Sequence, residues 1–263
     1  MIKERIDKVL VERGLAETRA RAQAVILAGQ VLVAGQRVDK AGQLVDTSAE
    51  IRLKGETLRY VGRGGLKLEA ALATFGIDPS GRHCIDVGAS TGGFTDCLLQ
   101  HGAAHVWAID VGHNQLDWRL RGDSRVTAIE GINARNVTPD QFPGQFALAT
   151  VDVSFISLDK ILAPVARLLE DRADLIALVK PQFEVGKGEV GKGGIVTSPE
   201  KHRAVIRKVI KAGGAAGLEA MGLIPSPILG AEGNREFLVH FIRTAAQPGD
   251  SLRMEAAILA ITS

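Results

Sequence analysis

The chain has 263 residues, of which 46% are hydrophobic and 4% aromatic, and its formal net charge is +2. This length suits one α/β domain with a small additional module, and no apolar run reaches the ~18 residues of a membrane span. The first residues lack the apolar core of a signal peptide, so we expect a cytoplasmic protein.

Positive charge is concentrated in the amino-terminal part of the chain. Residues 1–65 contain 12 Lys and Arg against 8 Asp and Glu, whereas the remaining residues contain 20 against 22. A basic segment beside a nearly neutral body indicates contact with a polyanion.

The first elements predict a compact α+β unit. Helical spacing of Ile6, Val9 and Leu10 predicts one helix, and a second helix is predicted from the N-cap Thr18 to Ala28. Short strands are predicted at residues 31–33, 37–38, 44–45 and 51–53.

The amino-terminal unit contains the stretch RIDKVLVERGLAETRARAQAVILAGQVLVAGQRVDKAGQLV. This stretch resembles the S-four-type RNA-binding domain. One departure is that Ala34–Gly35 stands where the family has Asn-Gly at the hairpin. The resemblance implies that basic side chains of this unit contact the phosphates of structured RNA. The alternative is an ordinary solvated helix face. The candidate residues are Lys3, Arg5, Lys8, Arg19 and Arg21.

Three glycines within residues 62–65 predict a joint after this unit. We therefore expect an RNA-binding domain over residues 1–58, a glycine-rich linker over 59–66 and a catalytic domain over 67–263.

The joint is flanked by cations. Arg59 and Arg63 would lie where both domains could touch one RNA, and Lys67 stands near the start of a helix predicted over residues 66–75. Taken alone, Lys67 is equally consistent with a surface lysine.

A glycine-rich turn is the main signal of the larger domain. It follows a short buried strand over His83–Val87 and precedes a helix that starts at about Gly93. The spacing is neither that of a dinucleotide-binding turn nor that of a P-loop. An ordinary tight turn between strand and helix is the alternative.

Asp110 adds a second signal, because it ends a strand about twenty residues further on, where a carboxylate can accept hydrogen bonds from ribose hydroxyls. The turn has no basic residue for a pyrophosphate, so a nucleoside without phosphates is expected, and S-adenosylmethionine fits. The candidate cofactor-binding residues are Asp86, Gly88, Ala89, Ser90, Gly92, Gly93, Phe94, Asp110, Val111, Asn133, Ala134 and Asp152.

The rest of the chain alternates between predicted strands and helices. Helices are predicted chiefly at residues 158–169 and 199–212. Strands are predicted at residues 126–130, 146–153, 175–181, 223–229 and 237–242. This alternation predicts a doubly wound, Rossmann-like α/β sheet, whose ligands collect at the carboxyl ends of the strands. Asp86, Asp110, Asp152 and Lys180 fall at those ends.

Lys67, Asp152, Lys180 and Glu236 occur in the order of the Lys-Asp-Lys-Glu tetrad of FtsJ-type ribose 2′-O-methyltransferases. Together with the S-four-type unit, the chain resembles the TlyA family of ribosomal RNA 2′-O-methyltransferases over almost its whole length. The resemblance implies methyl transfer from S-adenosylmethionine to a cytidine ribose of ribosomal RNA within ribosomal subunits.

The chemistry requires residues of these types. A ribose hydroxyl is a poor nucleophile, so the site must hold it in line and help its proton leave. Lys180 could accept the proton when neutral or stabilise a developing alkoxide when charged. Asp152 would fix Lys180, while Lys67 and Glu236 would orient Lys180 and the ribose. A surface ion pair is the alternative for each residue alone.

Other readings of the chain remain. Some members of the family carry haemolysin names, so a membrane-active haemolysin is one alternative, and an RNA-binding protein with an inactive second half is another.

Residues 183–195 predict a mobile loop that could bring Lys187 and Lys192 to phosphates. The six histidines show no metal-ligand spacing, and we expect no metal site.

Overall fold

The computed structural model describes residues 3–16, 18–53, 59–186, 188–230, 233–244 and 252–262. It divides into two compact units, Met1–Arg59 and Tyr60–Ser263. The residues expected to form a linker therefore belong largely to the second unit. Tyr60 shows why, because its ring is only 2% exposed and packs in a core that includes Leu68 and Phe94.

The first unit is a small α+β module. Its elements are β1 (Lys3–Arg5), α1 (Ile6–Glu12), α2 (Arg19–Leu27), β2 (Val31–Val33), β3 (Gln36–Val38), β4 (Leu44–Asp46) and β5 (Ile51–Leu53). β1 pairs with β4, and the other three strands form a sheet in the order β3-β2-β5. The Thr18 side chain caps α2 by accepting a hydrogen bond from the Arg21 backbone N–H. Ile6, Leu10 and Ile26 are fully buried in its core.

The second unit begins with a helix and continues as alternating strands and helices. In the first half these are α3 (Gly64–Phe75), β6 (His83–Val87), α4 (Gly93–Gln100), β7 (His105–Asp110), α5 (Trp118–Arg121), β8 (Val126–Glu130) and β9 (Phe146–Val151). The second half contains α6 (Leu162–Ala166), β10 (Leu169–Val179), α7 (Pro181–Glu184), α8 (Pro199–Ala215), β11 (Leu218–Pro225), β12 (Phe237–Arg243) and α9 (Leu252–Ile261).

One seven-stranded sheet organises this unit, with the order β11-β12-β10-β9-β6-β7-β8. Strands β6 to β10 run parallel, whereas β12 pairs antiparallel with both β10 and β11. Apolar side chains cover both faces, as a parallel sheet requires. The doubly wound sheet predicted from the sequence is thereby confirmed.

The strand order places a crevice next to β6. From β6 the chain continues to β7 on one side, and β9 later pairs with β6 on the other side. Ligands of open α/β sheets bind at such a switch point, beyond the carboxyl ends of the strands.

Some predicted boundaries differ from the structure. The helix predicted over residues 158–169 is a short 3₁₀ turn, Leu158–Lys160, followed by α6, because Leu169 already pairs with Phe146 in the sheet. The strand predicted over residues 223–229 begins earlier and ends at Pro225, where the edge of the sheet tolerates a proline. These differences arise because periodicity alone does not show whether a short apolar run forms a helix or a strand.

Candidate active site

Gly88 brings the ends of two strands together at the switch point. Its φ is +85°, and a Cβ at this position would overlap the carbonyl oxygen of Asp152. The backbone N–H groups of Gly88 and Ala89 donate to the carbonyl of Ile109, at 2.9 and 3.1 Å. The glycine turn is thus fastened to β7 on one side and meets the residue after β9 on the other.

Gly92, also expected to face the cofactor, serves a different purpose. Its φ is +95°, and a Cβ would collide with the Leu120 and Leu116 side chains beneath the turn. The structure therefore assigns Gly92 to internal packing, whereas Gly93 and Phe94 line a small cavity next to Gly88.

Asp110 lines a cavity at the switch point, and backbone N–H groups hold its carboxylate in place. One carboxylate oxygen accepts a hydrogen bond from the Ser90 N–H at 2.8 Å, and the other accepts from the Gly112 N–H at 2.7 Å. A carboxylate has about four acceptor positions, so capacity remains for the two hydroxyls of a ribose.

The cavity beside Asp110 has a volume of about 420 Å³ and combines polar and apolar walls. Gly88, Ser90, Val111, Asn133 and Ala134, which are candidate cofactor-binding residues from the sequence, line it. Sequence reasoning missed other lining residues, which follow strands β8 and β9 or precede α5. These are Gln115, Ile132, Arg135, Val153, Ile156 and Ile161.

These walls fit a nucleoside. The isoleucine side chains offer an apolar slot for a flat base, and Asp110 is placed for the ribose. The Asn133 side-chain oxygen already accepts from the Arg135 backbone N–H at 3.1 Å, so it caps a short 3₁₀ helix.

Asp86 does not line this cavity, in contrast to the expectation. It is fully buried, and its carboxylate accepts hydrogen bonds from the hydroxyls of Thr95 at 2.7 Å and Thr150 at 2.9 Å. Burial raises the pKa of Asp86 to about 6, although both hydrogen bonds act in the opposite direction. Its role is to join β6, α4 and β9 beneath the glycine turn.

A second cavity, of about 430 Å³, brings the predicted tetrad together. Lys67, Asp152, Lys180 and Glu236 all line it. They come from α3, from the ends of β9 and β10, and from the residue before β12. We call this the acceptor cavity.

The four side chains form two ion pairs. Lys67 Nζ lies 2.5 Å from Glu236 Oε2, and the Glu236 side chain is only 3% exposed. Lys180 Nζ lies 2.6 Å from Asp152 Oδ1 and forms an ion pair with it. Lys180 also donates a hydrogen bond to the Ser154 hydroxyl at 2.8 Å. Ser154 is a contact that sequence reasoning missed.

The two cavities share part of their walls. Ser90, Asp152, Ser154 and Phe155 line both of them. Phe155 is 90% exposed in the left-handed backbone region, and its ring centroid lies 4.9 Å from that of Phe183. Asp152 thus stands between the space for a nucleoside and the space around the two lysines.

The cations predicted to bind RNA fall into distinct groups. Arg5 and Arg19 each pair with the buried Asp7, at 2.9 and 3.0 Å, so both have a structural role within the first unit. Arg21 and Lys3 are exposed, and Lys8 lies 3.6 Å from Glu4.

The other cations predicted to bind RNA lie in two segments, residues 59–63 and the loop predicted over residues 183–195. Arg59 is exposed, and Arg63 lines the acceptor cavity. Lys187 lies outside the described residues, and so does the side chain of Lys192.

Within the described ranges of the chain, we find no helix with the length and apolar character needed to cross a bilayer.

Comparisons with known proteins agree with this geometry. The FtsJ-like methyltransferase family matches residues 60–243, and the S4 domain, which is the S-four-type module, matches residues 4–51. YqxC of Bacillus subtilis (strain 168), which bears a provisional rRNA methyltransferase name, is 51% identical over 239 residues, or 90% of this chain and 85% of the relative.

Two further relatives are similar over most of the chain. TlyA of Mycobacterium tuberculosis (strain CDC 1551 / Oshkosh), named a 16S/23S rRNA (cytidine-2′-O)-methyltransferase, is 44% identical over 241 residues, or 91% of this chain and 90% of the relative. A solved structure from Streptococcus thermophilus with a provisional haemolysin name has a TM-score of 0.77 and 45% identity, and the match covers 100% of this chain and 95% of that one.

Proposed function

The chain belongs to the FtsJ-like methyltransferase family and carries an S4 domain, and on this premise we propose that it methylates a cytidine ribose 2′-hydroxyl in ribosomal RNA. The methyl donor is S-adenosylmethionine. The observation that carries the proposal is the meeting of two lysine–carboxylate pairs in one cavity, which shares Asp152 with a cavity suited to a nucleoside.

S-adenosylmethionine supplies a methyl group that its sulfonium already activates. The residues suited to hold it are Asp110 for the ribose hydroxyls and the isoleucine side chains of the cavity beside Asp110 for the adenine. Gly88 lines the same cavity and leaves the backbone there without a side chain. These residues fix the donor side of the reaction.

Lys180 is the residue suited to the acceptor oxygen. An ammonium group has three N–H donors; Ser154 accepts a hydrogen bond from one of them, and Asp152 forms an ion pair with the ammonium. A remaining N–H can hold the ribose 2′-oxygen and stabilise the negative charge that develops as its proton leaves to water. Such preorganised donors are effective because they need no reorganisation during the reaction.

Lys67 and Glu236 line the same cavity and support the same oxygen. Their ion pair is mostly shielded from solvent, so each holds the other in one orientation. We infer that Lys67 donates one of its remaining N–H groups to the acceptor ribose, and that Glu236 directs it there.

The first unit and the rim of the acceptor cavity supply RNA contacts. The exposed Arg21 and Lys3 of the S4 domain are available for phosphates, and Arg63 faces the acceptor cavity. The exposed Phe155 ring offers a face on which a base can stack. We infer that the substrate is RNA within ribosomal subunits and that the protein works in the cytoplasm.

Radiolabelled methyl transfer tests the function directly. Purified protein is incubated with labelled S-adenosylmethionine and either small or large ribosomal subunits, and the methylated nucleotide is then mapped. We expect label on a cytidine ribose, and a strongly reduced rate of labelling with Lys180→Ala. Label on a base, or no label on either subunit, would contradict the proposal.

The haemolysin alternative is tested with the same preparation. Lipid vesicles filled with a self-quenched dye report membrane damage as an increase in fluorescence. We expect no leakage at protein concentrations that support methyl transfer. Leakage together with an absence of methyl transfer would favour the alternative.

A further inference from the structure

Asn234 lies two residues before Glu236, and its side chain is fully buried. Both ends of its amide are used by the backbone of a neighbouring loop. Nδ2 donates to the carbonyl oxygen of Gly194 at 2.9 Å, and Oδ1 accepts from the N–H of Val196 at 2.9 Å. The side chain therefore acts as a peptide group would in an adjacent strand, and it ties the loop after α7 to the chain that enters β12.

The backbone of Asn234 holds a second loop. Its carbonyl accepts a hydrogen bond from the N–H of Gly230 at 2.9 Å, and the carbonyl of Gly230 accepts from Gly233 at 3.0 Å. A Cβ on Gly230 would lie only 2.5 Å from Glu236 Oε1. The loop that Asn234 holds is therefore packed directly against the Glu236 carboxylate.

Glu236 depends on that loop for its position. Its backbone carbonyl accepts a hydrogen bond from the Ser226 N–H at 2.8 Å, and its carboxylate pairs with Lys67. Ile228 and Leu229, between Ser226 and Gly230, line the acceptor cavity. A shift of the loop would move the wall of the cavity and the carboxylate together.

We propose that Asn234 is a positioning residue that holds Glu236, and through it Lys67, in the orientation needed for methyl transfer. The inference rests on the function proposed above. Asn234 touches neither cavity, so it acts through the two loops that it joins. Val196, which donates to the Asn234 side chain, has a buried partner of its own, because His202 Nε2 lies 2.9 Å from the Val196 carbonyl oxygen.

Two variants test this role in the full-length protein. Asn234→Ala removes both side-chain hydrogen bonds, and Asn234→Asp keeps the shape but loses the donor to Gly194. We expect each to lower the single-turnover methyl-transfer rate on ribosomal subunits about 10- to 100-fold, since small misplacements of a reacting group cost about that much. Affinities for S-adenosylmethionine and for subunits should stay within a factor of two. The control is Asn136→Ala, which removes an asparagine side chain at an exposed position.

A double-mutant cycle separates positioning from a general structural role. If Asn234 acts through Glu236, Asn234→Ala should lower the rate less than about threefold in a Glu236→Gln background. An equal loss in both backgrounds would overturn the proposal. A wild-type protein without methyl transfer would instead refute the proposed function.

Amide hydrogen exchange provides a measurement that needs no activity. In Asn234→Asp we expect faster exchange in peptides covering residues 226–230 and 233–238, with exchange in β6 and α4 unchanged. Unchanged protection over residues 226–238 would overturn the proposal whatever the rates. Faster exchange throughout the second unit would also overturn it, because the residue would then serve overall stability.

Discussion

Lys180 and Asp152 come from the carboxyl ends of two neighbouring parallel strands, and Lys180 Nζ lies 2.6 Å from Asp152 Oδ1. Asp152 also lines the cavity that fits a nucleoside, whereas Lys180 lines only the acceptor cavity. The pair therefore connects the two cavities. This arrangement follows from the strand order, because β9 lies between β6 and β10 at the switch point.

Substitution of Lys180 should affect the chemical step more than binding. We expect Lys180→Ala to bind cofactor and RNA but to transfer methyl at least ~10²-fold more slowly, the lower end of what a positioned proton-transfer or charge-stabilising group contributes. Lys180→Arg keeps the charge and should retain more activity than Lys180→Ala. Single-turnover rates, with binding measured separately, provide the test.

The pH dependence of the same variants identifies the form of Lys180 that acts. A lysine that works as an ammonium predicts no increase in rate with pH from this residue. A rate that rises with pH in the wild type, with Lys180→Arg as slow as Lys180→Ala, would assign Lys180 as the base instead.

Asp110→Ala should weaken cofactor binding. The change removes the acceptors for the ribose hydroxyls and also the hydrogen bonds that hold Ser90 and Gly112. We expect a loss of about 1.5–3 kcal/mol in binding free energy, as for hydrogen bonds to a charged group. Isothermal titration calorimetry with S-adenosylmethionine measures it, and an exposed site, Asp140→Asn, is the control. Unchanged affinity in a folded Asp110→Ala protein would refute the cofactor assignment.

Arg21 tests RNA binding more cleanly than Arg5 or Arg19, because those two pair with Asp7. Arg21→Glu should weaken binding to ribosomal subunits and reduce the slope of affinity against salt by about one, as expected for a lost phosphate contact. Lys211→Glu makes a similar charge change at an exposed position of α8 and serves as control. If both variants bind equally well, Arg21 has no role in RNA binding.

Asp7 should control the acid stability of the first unit. Hydrogen bonds from Arg5, Arg19 and Gln23 hold the pKa of its buried carboxyl well below the usual range. A lowered folded-state pKa means that this stabilisation is complete above the ordinary value of about 4 and is lost as pH falls below it.

The measurement uses Asp7→Asn in the full-length protein. At pH 7 we expect the first unit to lose about 1.5–3 kcal/mol of unfolding free energy, because the hydrogen bonds from Arg5 and Arg19 to a charged carboxylate are lost. Hydrogen exchange in α1 and α2 reports that loss. A difference from wild type that persists undiminished at pH 2 would contradict the assignment.

Asp86 should act in the opposite direction. Its pKa is raised to about 6 by burial, so folding takes up a proton between pH 4 and 6. The second unit should therefore become more stable as pH falls from 7 towards 4, by roughly 1–3 kcal/mol from this residue. Urea unfolding at pH 4.5 and 7 measures the effect. Asp86→Asn should remove it, and an identical pH slope in the variant would show that another group is responsible.

Local sequence predicted most of the elements and several residues that line the two cavities. The glycine turn, the carboxylate of Asp110 and the strands that end at Asp152 and Lys180 are all visible in the chain, because strand periodicity and tight turns are local properties. The order of the four tetrad residues indicated one reaction through its resemblance to a known family.

The tertiary structure decided which side chains meet. Lys67 and Glu236 are 169 positions apart, and only the placement of α3 beside the start of β12 makes them a pair. Tertiary packing also assigned Asp86 to two buried threonines and revealed Ser154 as a partner of Lys180. Periodicity encodes which face of an element is buried, whereas the partner across that face depends on the order in which distant elements pack.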